Sequence, residues 1–143
     1  MSMQAQNKQI ARDFLRALTT KDTKLLDSLF AEDIEYVVPG SSFLSRSYDK
    51  RTILGAMGYL YAMLDGSIHF DVVDLTSEEG RVSCFAKGKA RTILGDDYNN
   101  TYHFLIYVKN GKVVKAYEFV DLLLVEQALK PAAQRACPEL LAM

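Results

Sequence analysis

The segment Tyr98-Asn99-Asn100-Thr101-Tyr102-His103-Phe104-Leu105-Ile106-Tyr107-Val108-Lys109-Asn110-Gly111-Lys112-Val113-Val114-Lys115-Ala116-Tyr117-Glu118-Phe119-Val120-Asp121 decides the fold. Asn110-Gly111 between two alternating runs is the sequence mark of a hairpin, because both central residues of a type I′ turn need positive φ. Strand side chains alternate between faces. Tyr98, Asn100, Tyr102, Phe104, Ile106 and Val108 therefore share one face of the first strand. On the second strand Val114, Ala116, Glu118 and Val120 share a face, opposed by Val113, Lys115, Tyr117, Phe119 and Asp121. An apolar face carrying an amide, phenols and one carboxylate suits a ligand pocket better than a plain core.

Outward from the hairpin, Asp121 is placed to cap a short C-terminal helix, Leu122 to Leu129. Pro131 is expected to stop it, leaving residues 131–143 as a tail with little helical character. Before the hairpin, Ser67 to Leu75 and Val82 to Thr92 read as strands joined at Glu78-Glu79-Gly80. Farther back, Ile10, Phe14, Leu15 and Leu18 form a helical stripe within 4–19. Asp22 caps a second helix carrying Leu25, Leu26, Leu29 and Phe30, and Asp49 caps a third over 50–64. Between these, Ile34 to Val38 is a strand ended by Pro39-Gly40, and 41–47 a polar loop. Three helices ahead of an antiparallel meander give one α+β domain over residues 1–143, with helices on one face of a strongly curved, mostly antiparallel sheet. Such a sheet leaves a conical cavity.

Composition excludes several classes. The 143 residues carry 17 basic and 18 acidic side chains, a net charge of −1, with no basic window to suit nucleic acid or a membrane surface. The first residues are polar, with no signal-peptide core, and no run is long and apolar enough to span a bilayer. Cys84 and Cys137 have neither disulfide nor metal spacing, so a reduced, cytoplasmic protein without metal or cofactor is expected. The only histidines, His69 and His103, fall in different strands.

These residues resemble the nuclear-transport-factor-2-like (NTF2-like) superfamily, most closely its SnoaL-like polyketide cyclase and ketosteroid isomerase branches. The resemblance rests on Leu29-Phe30-Ala31-Glu32-Asp33-Ile34 with Pro39-Gly40, on Tyr98-x-Asn100-x-Tyr102, and on Gly111-Lys112-Val113 followed by Tyr117-Glu118-Phe119-Val120-Asp121. It implies a cone-shaped, cystatin-like α+β fold with a hydrophobic pocket, and a homodimer formed through the outer sheet face. The isomerase pattern is incomplete. Phe14 stands where that branch has a tyrosine, Val38 where it has the proton-moving aspartate, and Tyr102 where it has a neutral carboxylic acid. Of the epoxide-hydrolase pattern in the same superfamily, Glu118 matches the last-strand carboxylate, but Phe85-Ala86-Lys87-Gly88-Lys89 replaces the partner Arg-x-Asp.

The expected ligand is small and apolar or carbonyl-bearing. If the protein is an enzyme, the chemistry is cofactor-free isomerisation, cyclisation or dehydration beside a carbonyl. Glu118 is then the base, poised by desolvation, with Tyr102 and Asn100 orienting or stabilising an oxyanion. Phe14, Tyr36, Val38, Met57, Tyr61, Tyr98, Phe104, Ala116 and Val120 would shape the walls. The competing reading is a non-catalytic ligand-binding or assembly module of the same fold. A salt bridge on Glu118 or a plugged cone would favour it.

Overall fold

Ser2 starts the first helix by accepting the Ala5 N–H on its hydroxyl at 3.1 Å, in the computed structural model that describes residues 1–143. This helix, α1 (Met3–Thr20), ends at Lys21, whose left-handed backbone lets its N–H reach the Ala17 carbonyl. The Asp22 carboxylate caps α2 (Thr23–Leu29) and that of Asp49 caps α3 (Lys50–Met63), each accepting the N–H three residues on. The strands are β1 (Phe30–Val38), β2 (Arg46–Tyr48), β3 (His69–Glu78), β4 (Arg81–Lys89), β5 (Thr101–Lys109) and β6 (Lys112–Val120). They form one curved, unclosed sheet in the order β2-β1-β6-β5-β4-β3, with only the β1–β6 pair parallel.

Helices cover one face: α1 lies over β3 and β4, and α3 lies against β1. The core sits between them, where the Phe14 ring meets Phe104 at 5.4 Å, Phe30 at 6.0 Å and Tyr36 at 6.3 Å. On β4, Val82, Cys84, Ala86 and Gly88 point inward, while Lys87 and Lys89 are exposed on the outside. His69 and His103 are both exposed, and His103 Nε2 lies 2.7 Å from Ser83 Oγ on the outer face.

Several boundaries differ from the sequence reading. β1 starts at Phe30 rather than Ile34, and the expected polar loop ends in β2. β3 runs on to Glu78, while β4 stops at Lys89 and β5 starts only at Thr101. Asn110 and Gly111 adopt φ of 52° and 73°, the turn their sequence requires. β6 then takes one extra residue, because Val108 pairs with Val113 but Tyr107 pairs with Lys115. The turn sets Val113 opposite Val108 on the inner face, where it is 2% exposed, and the bulge at Val114 reverses the parity beyond it, so Val113 does not share the outer face with Tyr117 and Phe119 as its parity suggested.

Pro131 does not stop the C-terminal helix. Asp121 caps a first turn, α4 (Leu122–Leu124), and a single π turn (Val125–Leu129) follows, closed by the Lys130 N–H on the Val125 carbonyl. The wider turn hands the chain to α5 (Lys130–Ala136) with Pro131 in its first turn, where proline costs no hydrogen bond. A short 3₁₀ segment, Pro138–Ala142, completes the chain, so the expected tail is largely helical. No helix is long and apolar enough to cross a membrane.

Candidate functional site

The bulge at Val114 sets the site. Beyond it Ala116 pairs with Ile106 and Glu118 with Phe104, so the Glu118 side chain enters the helix-covered face of the sheet. There it meets an apolar cavity of about 70 Å³ that is partly open to solvent. Glu118 is the one charged side chain among the 17 residues that line it.

Tyr36 reaches the same point from β1. It pairs with Ala116 across the parallel ladder, and its hydroxyl donates to Glu118 Oε1 at 2.5 Å. No Lys, Arg or His forms an ion pair with Glu118. Burial pushes the Glu118 carboxyl above its ordinary pKa, and the Tyr36 hydrogen bond pulls it only part of the way back. The Tyr36 phenol is raised well above its ordinary value, first by burial and then by the neighbouring carboxylate, so it stays protonated and donates. Glu118 as a whole is half-buried.

Three other phenols line the cavity. Tyr48 donates to the Leu44 carbonyl at 2.6 Å, and burial pushes its pKa up to about 12. Tyr102 stacks on Phe104 with ring planes 5° apart and meets Phe70 edge-on at 5.2 Å. Gly88 makes room for it: a Cβ there would lie 2.6 Å from the Tyr102 ring. Burial raises the Tyr98 and Tyr102 phenols, and each is among the other's largest remaining influences.

Of the residues expected at the site, Glu118, Tyr36, Val38, Met57, Tyr98, Tyr102 and Phe104 line the cavity. Asn100 does not. Its amide nitrogen donates to the Tyr98 hydroxyl and the Asp121 carbonyl, both at 3.1 Å, and its oxygen accepts from the Thr101 and Asp121 N–H groups. With every bond satisfied it fastens β5 to the end of β6 and fixes the Tyr98 oxygen. Phe14 and Ala116 are buried beyond the cavity, in the core against Phe104 and Ile106. Val120 pairs with Tyr102 outside the lining. Tyr61 sits under the Lys21 ammonium at 5.9 Å with its hydroxyl unpaired.

The structure adds walls that the sequence did not mark. Ile53 and Leu60 lie on the α3 stripe that includes Met57, a signal present in the spacing. Leu44 and Leu129 come from the segments read as polar loop and terminating helix, and Tyr48 from the end of β2, just past that loop; no periodicity pointed to them.

The six-strand curved, unclosed sheet with helices on one face defines a class: the α+β fold of cystatin-like, NTF2-like form. A family model for the SnoaL-like domain matches residues 11–116, and the chain belongs to that family. No curated protein matches the sequence. Among solved structures, Bal32a from a soil-derived mobile gene cassette superposes with a TM-score of 0.80 at 22% identity, covering 90% of this chain and 99% of its own. An NTF2-like protein from Burkholderia xenovorans LB400 gives 0.70 at 24% identity, over 88% and 97% of the two chains. A protein of Jannaschia sp. CCS1, provisionally assigned as a SnoaL-like polyketide cyclase, gives 0.77 at 13% identity, over 90% and 94%. At these identities the likeness speaks for the fold.

Proposed function

We propose that the protein binds a small, largely apolar carbonyl compound in this cavity and moves a proton beside the carbonyl, without a cofactor. The observation that carries the reading is Glu118, a carboxyl raised by burial, hydrogen-bonded by one neutral phenol and paired with no cation. Glu118 takes a proton from the carbon next to the carbonyl, and the C–H electrons move into an enolate. The charge on its oxygen is met by the Tyr98–Tyr102 phenols, the Tyr98 oxygen being held by Asn100. In a β,γ-unsaturated ketone the enolate extends to the γ carbon, and return of the proton there moves the C=C into conjugation with the carbonyl. Family membership adds weight, since solved relatives in fold include provisionally assigned isomerases and cyclases.

The test uses 2-tetralone, a flat enolisable ketone, in D₂O. Deuterium uptake beside its carbonyl, followed by NMR, is expected to accelerate with the protein and to fall by about two to four orders of magnitude in Glu118→Gln. Uptake equal in the two proteins removes the enzymatic reading. It would favour the non-catalytic module, for which the short Tyr36 bond, already satisfying one carboxylate oxygen, is the supporting observation.

We further propose a homodimer through the outer sheet face and a reducing, cytoplasmic setting. For the first, Phe119 is 46% exposed and runs with Tyr117 and Tyr107 as an aromatic row, beside the opposed charges of Glu35 and Lys115. A second copy turned by two-fold symmetry presents the same row and the same pair of charges. For the second, Cys84 and Cys137 are free and buried.

A further inference from the structure

We infer that ligand enters through the seam between residues 39–45 and the π turn Val125–Leu129, and that Glu126 latches this seam shut. The inference rests on the cavity being a ligand site, as proposed above, but its geometry stands apart from the chemistry at Glu118. The cavity is only partly open to solvent, and a ligand of ten or more atoms would pass more freely if one wall gave way. Most of the walls are strands in the hydrogen-bonded sheet or the capped helices α1 and α3, whose movement would break several bonds together. The 39–45 loop differs.

Its internal bonds are its own. The Ser42 N–H and Oγ both meet Ser45 Oγ at 2.9 Å, the Leu44 N–H reaches Ser42 Oγ, and the Ser45 hydroxyl reaches the Pro39 carbonyl. These bonds can stay intact while the loop moves as a unit. Two hydrogen bonds tie it to the rest of the fold: Tyr48 to the Leu44 carbonyl, and the Phe43 N–H to Glu126 Oε1 at 2.8 Å. The second spans 83 residues and joins the two segments whose Leu44 and Leu129 line the cavity. Glu126 sits inside the π turn, a backbone form found often at functional sites. Its other oxygen lies 3.5 Å from the Lys130 ammonium, within the helical segment.

The experiment places a reporter inside. Met57→Cys puts a thiol on the cavity wall, and its labelling by neutral 4,4′-dithiodipyridine is timed, with the parent protein supplying the background from Cys84 and Cys137. Adding Glu126→Ala removes one charge-assisted bond and is expected to speed labelling by about tenfold, with a smaller gain for Glu126→Gln, which keeps an acceptor. Lys130→Ala, which leaves the Phe43 bond in place, should label at the latch-intact rate. Amide exchange at Phe43 should quicken in step with labelling. Labelling unchanged by Glu126→Ala overturns the inference, as does Lys130→Ala matching Glu126→Ala, which would mean that the helix rather than the latch controls access. No ligand is needed, so failure of the 2-tetralone test leaves this result readable.

Discussion

Replacing Glu118 by glutamine tests the site through stability as well as through turnover. The amide is nearly the shape of the carboxyl, and its oxygen can still accept from Tyr36, so geometry is kept. Two effects oppose each other at pH 8. Exchanging a charge-assisted bond for a neutral one loses about 1 kcal/mol. Removing a buried charge recovers a desolvation penalty of several kcal/mol for an unpaired ion, reduced here because the cavity is partly open to water. The raised Glu118 pKa says that desolvation outweighs the hydrogen bond, so the variant is expected to gain about 1–2 kcal/mol. For a domain of this size that is a rise of roughly 3–7 °C in Tm. The sign follows from linkage. A carboxyl whose folded pKa lies above its unfolded value binds more protons when folded, so the parent loses stability as pH rises from the unfolded pKa through the folded one. The gain in Glu118→Gln should therefore be full above the folded pKa and vanish below pH 4.5, where Glu118 is neutral in both states. Thermal melts of both proteins from pH 4 to pH 8 supply the difference curve. A variant less stable than the parent at pH 8 would show an ionised, well-satisfied structural Glu118 and refute the argument.

Tyr36→Phe removes the one hydrogen bond that holds the Glu118 pKa down, so the acid limb of the pH profile for deuterium uptake should move to higher pH; an unmoved limb means that the bond does not tune the base. Asn100→Ala leaves buried partners without their bonds and should cost about 3 kcal/mol in denaturant melts, with any residual uptake keeping its pH profile, because Asn100 positions Tyr98 without touching ligand. Phe119→Lys puts a charge in the aromatic row and should convert a dimer to a monomer in analytical ultracentrifugation, whereas a parent already monomeric at micromolar concentration removes the interface.

Local chemistry was legible wherever it acts within a few residues. Asp22, Asp49 and Asp121 cap the helices that their positions announced, and Asn110-Gly111 makes its turn, because each needs only a neighbour's N–H or a positive φ. Pro131 misled for the opposite reason: the π turn that lets it begin α5 rather than end a helix has no marker in composition. Asn100 misled because its parity is right and its partners are not local. The inward face says nothing of the Asp121 backbone, 21 residues on, which takes up half of its bonding.

The carboxylate itself shows how two sequence signals compete. The tight turn alone pairs Lys109 with Lys112 and Val108 with Val113, and an unbroken ladder would then set Ile106 opposite Lys115 and Phe104 opposite Tyr117. Lys115 and Tyr117 would point into the core and Glu118 out of it. The hydrophobic pattern demands the other face, since Ala116 suits the buried side and Lys115 does not. Both demands are met by one unpaired residue, Val114, which keeps the turn and reverses the parity beyond it. The site is thus a consequence of the bulge: with Val114 paired in an unbroken ladder, Tyr117 would take the place of Glu118 opposite Phe104, and Glu118 would face outward.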